Sequence, residues 1–346
     1  MPASFQGVFS LKPSAGRLSF KDVANTGQGQ EIMPTVAGVM AHSLSDPYCL
    51  PIPWRSEKEY DSERERHLPA FGFMPNDGLV SPHPPIARAL KIVQKALEES
   101  GYQLLNWKPP SHNESIEIHG PEAYDAMRAS GEPIIPEITH LFPNGELKPL
   151  IPLPEYEQAV LHMKDFRARW NEYWKSSAKR TTSALPVQAV ISPVTPYAAV
   201  LPGKFYHSPY TSVLNVLDYT TVVIPVTFAQ KEIDTVDPDF EPFNEKDRMN
   251  MDSYNAEMHH GAPAAVQLIG RRLDEERLLS VAELVVKAVE KYKAKHGKIA
   301  SILVEDDNIV TTWYDIPMFQ LSGPVAVYRE LSQMGKVSAE ILQHYA

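Results

Sequence analysis

The chain has 346 residues, 43% hydrophobic and 22% charged, enough apolar material for one large domain or a domain with an appendage, and this excludes a chain disordered throughout. Thirty-three basic against forty-three acidic residues give a net charge of −10 with no basic stripe to offset it, which excludes a general nucleic-acid binder. A single cysteine, Cys49, rules out an intrachain disulfide and a multi-cysteine metal cage, and its neighbours Tyr48, Leu50 and Pro51 do nothing to activate a thiol. The stretch from Met1 to Leu11 has neither the basic start nor the apolar run of a secretory signal, and no segment is long enough to span a bilayer, so a soluble cytoplasmic protein is expected.

Taken in chain order, Ala70-Phe71-Gly72-Phe73-Met74 reads as a short buried strand closed by the turn residues Pro75-Asn76-Asp77-Gly78. Pro84 and Pro85 start a helix whose Ile86, Leu90, Val93 and Leu97 fall on one face, and Gly101 stops it. Tyr102 to Leu105 returns to an extended pattern, so this stretch predicts a strand–helix–strand unit and a parallel pairing. From Glu155 to Trp174, Val160, Met163, Phe166, Trp170 and Trp174 recur at helical spacing, a stripe that reads as core rather than as a ligand site. Ala189-Val190-Ile191, Val222-Val223-Ile224 and Ala264 to Gly270 read as central strands. The helix predicted from Asp274 to Tyr292 carries Leu278, Val281, Ala282, Val285, Val286 and Val289 on its apolar face and acidic residues in its first turn. Beyond it, a strand is predicted over 299–304 and a helix over 325–345.

Several blocks carry a family resemblance. Pro2-Ala3-Ser4-Phe5-Gln6-Gly7-Val8-Phe9-Ser10-Leu11-Lys12-Pro13-Ser14 resembles the amidase-signature stretch in which a strand and turn lead out of the active site. Pro34 to Ser43 is similar to the next family block, with His42 where an arginine is usual and Val39 where a proline is common. Asn76-Asp77-Gly78-Leu79-Val80 with Pro82-His83-Pro84-Pro85-Ile86, Ser192 to Ala198 and Tyr210 to Tyr219 resemble the fungal general-amidase or acetamidase branch. Gly261-Ala262-Pro263 with Gln267-Leu268-Ile269-Gly270-Arg271-Arg272 resembles the last common block.

The resemblance implies an α/β fold, here an incomplete amidase-signature fold with a mixed, mostly parallel sheet flanked by helices. It would span residues 1–295, with 296–346 a C-terminal extension of unassigned type. It also implies hydrolysis of carbon–nitrogen amide bonds through a Ser-cisSer-Lys triad. Its nucleophile, lysine and oxyanion loop would all fall upstream of Met1, so the expectation is a chain inactive alone, with no residue assigned as catalytic. The alternatives are an active hydrolase whose site is completed by a partner chain or by unrecognised residues, and a pseudoenzyme that binds a small amide or a partner without chemistry. Ser4, Ser10 and Ser14 lie close to the expected nucleophile in sequence, but no lysine accompanies them, and one residue of displacement along a strand turns a side chain to the other face. His259-His260 is expected at the surface or in a loop, because adjacent histidines point apart rather than converging on a metal. Glu305-Asp306-Asp307 lacks the spaced pattern of a calcium loop and reads as a solvated charge cluster. No cofactor and no metal are expected, and a sheet face left without its helices is expected to drive self-association.

Overall fold

The computed structural model describes residues 1–23, 32–44, 68–114, 129–134, 138–139, 142, 145–146 and 151–296. The chain divides into two units, Met1–Gly297 and Lys298–Ala346. The second unit, with its predicted strand and helix and the acidic cluster at 305–307, lies outside the described residues, as does Cys49.

The strand–helix–strand unit forms where the sequence puts it. Strand β3 (Ala70–Phe73) leads to helix α2 (Pro84–Glu99) and strand β4 (Gln103–Asn106), and β3 and β4 pair in parallel from Ala70↔Gln103 to Phe73↔Asn106. Pro84 and Pro85 occupy the first helical turn, whose N–H groups have no partner inside the helix. Gly101 ends the helix at φ +82, a left-handed conformation that costs glycine nothing, and Tyr102 N–H then donates to Leu97 O at 3.0 Å.

The sheet has seven strands in the order β2-β1-β6-β7-β5-β3-β4, where β1 is Phe9–Lys12, β2 Val39–Ala41, β5 Ala189–Pro193, β6 Thr221–Phe228 and β7 Pro263–Ile269. Only the ladders of β3 with β4 and with β5 are parallel; β1–β2, β1–β6, β5–β7 and β6–β7 are antiparallel. The sheet is therefore mostly antiparallel, against the expectation. The physical reason is the placement of β7. Strands β5 and β6 run in the same direction, but β7 inserts between them and opposes both. The proline inside β6 is accommodated at an irregularity between Pro225 and Thr227, where the ladder to β7 shifts register.

Apolar side chains alternate to both faces of the central strands. On one face Ile191, Ile224, Val226, Val266 and Leu268 pack against Ile86, Leu90, Val93 and Leu97 of α2 and against α7 (Glu275–His296). On the other, Val190 and Ile269 meet α3 (Leu153–Ser176) through Met163, Phe166, Trp170 and Trp174, and α4 (Pro209–Val216) through Val213 and Leu214. The methionine and aromatic stripe is core, as its spacing indicates. Gly72 lies under Trp107, and a Cβ there would sit 2.7 Å from the indole.

A short helix that the sequence reading did not give precedes the first strand: Pro2–Gln6 is α1, Pro2 fits its first turn and Gly7 closes it at φ +65 before β1 begins. Its Ala3 packs on Val194, Val223 and Ala265, covering part of the sheet face that α3 and α4 leave. No described helix is long and apolar enough to cross a membrane.

Candidate functional site

Parallel pairing of β3 with β4 and β5 puts the carboxyl ends of these three strands on one edge of the sheet. The chain leaves β3 for β4 through α2 on one face and returns from β4 to β5 through α3 on the other. Connections that diverge in this way open a crevice at the strand ends, where ligands bind in α/β sheets. The ends of these strands and the segments that follow them carry buried polar side chains, among them His112, Ser192, Thr195 and His207.

The side chain of Asp77, in the turn after β3, is fully buried. Its Oδ1 accepts from the Leu79 and Val80 N–H groups, both at 3.0 Å, and its Oδ2 accepts from His207 Nε2 at 2.6 Å. His112, in the turn after β4, lies with Nδ1 3.8 Å from the same oxygen. Burial alone would raise the Asp77 carboxyl, but the hydrogen bond from His207 and the nearby histidines outweigh it and hold the group below the usual carboxylate range. Burial pushes His112 down to about 4, against the pull of Asp77, so its ring is neutral near pH 7. Tyr210, at the start of α4, donates to Val80 O at 2.6 Å and accepts from Asp77 N–H at 3.2 Å. Gln267 of β7 reaches the same region: its Nε2 donates to Pro193 O at 2.8 Å and Tyr210 O at 2.9 Å, with Ser192 Oγ at 3.1 Å. A second buried group flanks this one. His83 Nε2 donates to Asn250 O at 3.0 Å and its Nδ1 accepts from Ala198 N–H at 3.4 Å, a neutral imidazole that burial holds down to about 3.

Among the described buried atoms without a hydrogen-bond partner in the protein are His207 Nδ1 and Thr195 Oγ1 at this edge and Ser4 Oγ in α1. Each costs on the order of 1–3 kcal/mol if left so. Among the described residues no side-chain base is hydrogen-bonded to Ser4 Oγ. Lys12, lowered by burial to about 8, donates to Tyr219 O at 2.9 Å and Pro13 O at 3.3 Å, and Lys293 donates to Val226 O. These two part-buried ammonium groups thus serve backbone carbonyls rather than a hydroxyl. Ser14 is tied elsewhere, its N–H donating to Glu275 at 2.7 Å and its Oγ accepting from Leu273 N–H at 2.7 Å. Ser10 lies half-buried on β1.

His259 and His260 point apart as expected, but His259 is not at the surface. The helix α6 (Ala256–His259), which follows α5 (Glu245–Asp252) and is capped by Asn255, turns it inward, where its ring lies 4.9 Å from Tyr254 and 5.7 Å from His83. His260 stays exposed. Among the described residues no group of three His, Cys, Asp or Glu side chains is placed to hold a metal ion.

Sequence reading missed Asp77, His112, His207 and Gln267 as members of one cluster. Asn76-Asp77-Gly78 reads as turn chemistry alone, and Asp77 meets His207 across 130 positions with no spacing signal between them.

Comparison with known proteins matches the geometry to a family. The sequence model described as Amidase matches residues 1–279. The chain is 36% identical over 315 residues to an acetamidase of Aspergillus oryzae and 36% identical over 314 residues to an acetamidase of Emericella nidulans, covering 83% of this chain and 57% of the relative in each case. It is 32% identical over 311 residues to Amidase 1 of Gibberella moniliformis, covering 82% of this chain and 58% of that one. Its fold is similar to that of fatty acid amide hydrolase, with a TM-score of 0.68 at 23% identity over 83% of this chain and 54% of that structure. The chain thus spans little more than half the length of the curated relatives it matches. With the family match running from α1 through β7 and into α7, the chain belongs to the amidase family.

Proposed function

We propose that this chain supplies the sheet and one wall of the substrate site of an amide-bond hydrolase acting on small amides, and that the reacting serine, its base and the oxyanion donors come from groups outside the described residues. The observation that carries the reading is the commitment of the buried bases. Lys12 and Lys293 donate to backbone carbonyls, and His83 is fixed between Asn250 and Ala198, so among the described residues no side-chain base is hydrogen-bonded to Ser4 Oγ. The acetamidases to which the chain is 36% identical support amides as the substrate class.

The test is ammonia release from acetamide and benzamide by three proteins. These are the 346-residue chain, its Ser4→Ala variant, and an Aspergillus oryzae acetamidase whose matched part is replaced by residues 1–279 of this chain. Turnover is expected from the chimera alone. Turnover by the chain itself that survives Ser4→Ala would overturn the division of labour, and a folded chimera without turnover would remove this chain from the substrate site.

A further inference from the structure

The residues from Tyr197 to His207, between β5 and α4, form a loop closed on itself, with Tyr197 Oη accepting the Tyr206 and His207 backbone N–H groups at 2.5 and 2.7 Å. A histidine fastens each end of this loop to the segment 77–83. At the far end His207 Nε2 donates to Asp77 at 2.6 Å, and at the near end Ala198 N–H donates to His83 Nδ1 at 3.4 Å. Just upstream, the His83 backbone N–H donates to Pro196 O at 2.7 Å and anchors the chain where the loop begins. The middle of the loop, Pro202 to Lys204, is exposed, whereas Ala198 is buried completely.

The two fastenings answer acid differently. An ionised Asp77 only accepts, so His207 Nε2–H donates to it whether or not the ring takes a second proton. His83 has both nitrogens committed to backbone. Its Nε2 donates to Asn250 O at 3.0 Å, so its Nδ1 must keep a lone pair to accept from Ala198. A proton added to this ring goes to Nδ1 and sets a donor against the Ala198 N–H. The titratable groups that face His83 are Tyr197 from the loop, Tyr254 from the turn after α5 and His259 from α6, and no carboxylate among the described residues is paired with it to hold an imidazolium. We infer that the loop is an acid-released strap at the carboxyl edge of the sheet: one proton taken up by His83 frees Ala198, and the loop turns between its anchors at Pro196 and His207. Burial holds the fastened ring neutral down to about 3, so the freed strap is the state that takes up the proton near pH 6.

The experiment is amide hydrogen exchange of the full chain, read residue by residue at pH 7, 6 and 5 and corrected for the pH dependence of an unprotected amide. Protection of the Ala198 N–H should fall about eightfold from pH 6 to pH 5, as one proton binds a group that titrates at 6.5 once freed. Two amides serve as references: Leu268 in β7, which reports opening of the whole sheet, and Val80, whose N–H donates to Asp77 at 3.0 Å. Both should stay better protected than Ala198 at each pH. His83→Gln keeps a donor for Asn250 O and an acceptor for Ala198 without titrating, and it should remove the pH dependence at Ala198. Protection at Ala198 that is flat from pH 6 to 5, or that falls only in step with Leu268, would overturn the strap. So would a loss at Val80 equal to that at Ala198, which places the release at Asp77, or a slope that His83→Gln leaves in place. Where the variant does not fold, the comparison of Ala198 with Leu268 and Val80 in the unaltered chain decides.

Discussion

Acid should destabilise this fold well above the pH at which its carboxylates protonate, because two buried histidines must stay neutral. Burial takes His83 from 6.5 to about 3 and His112 from 6.5 to about 4. His83 faces Asn250 O, Ala198 N–H and the rings of Tyr197, Tyr254 and His259; His112 faces Asp77, His207, Tyr210 and Trp170. The sign follows from which state takes up the proton. Below pH 6.5 the unfolded chain protonates both rings and the folded chain neither, so the stability they contribute is complete above 6.5 and falls as pH drops toward 4 and then 3. Each group loses about 1.4 kcal/mol per pH unit in that window, so together they remove on the order of 4 kcal/mol between pH 6.5 and 5. That is a large fraction of the roughly 5–15 kcal/mol by which domains are stable. Asp77 does not mask the effect, since its lowered value places its own loss below pH 3.8. Urea unfolding at pH 7, 6 and 5 measures the slope, and His83→Gln, which keeps a donor for Asn250 O, should reduce it by about half. A stability that is flat from pH 7 to 5, or a slope that His83→Gln leaves unchanged, would refute the reasoning.

Two further substitutions test the packing around this edge. Arg88 of α2 forms a two-pronged pair with the buried Asp234, at 2.6 and 2.8 Å, so Arg88→Met should leave an uncompensated carboxylate and cost about 3–5 kcal/mol by urea unfolding at pH 7. Gly72→Ala should press a methyl group into Trp107 and cost about 1–3 kcal/mol, read as a lower melting temperature and a changed tryptophan fluorescence.

Local periodicity carried far into this fold and stopped at pairing. The helix 84–99 was legible from Ile86, Leu90, Val93, Leu97 and its proline and glycine boundaries, because each of those signals acts within a few residues. The antiparallel insertion of β7 between β5 and β6 was not, since a ladder partner tens of residues away leaves no mark on either strand. Both strands are apolar on two faces, as a buried parallel strand would be, so composition could not separate the two arrangements. Helix α1, only five residues long, is too short for periodicity to announce, and the positive φ at Gly7 that closes it is a backbone choice glycine only permits. The site was legible in its parts, as the motifs around Asp77, Ser192, Tyr210 and Gln267, and illegible as a cluster, because the fold alone brings the turn at 77 to the histidine at 207.

The distribution of buried polar groups also argues for what this part of the fold contributes. Where a buried charge is braced by several partners it fixes backbone. Asp218 accepts from Ala15 N–H at 2.7 Å and from Arg272 at 2.5 Å, tying the exit of β1 to the start of β6, and Arg17 reaches Glu276 at 2.8 Å. Those contacts lie away from the carboxyl ends of β3 and β5. At the carboxyl edge, Asp77 is equally well braced, by the Leu79 and Val80 N–H groups and by His207. The edge where β3 and β5 end, which we propose as the amide-binding wall, is thus held by its own contacts and not by those that tie β1 to β6.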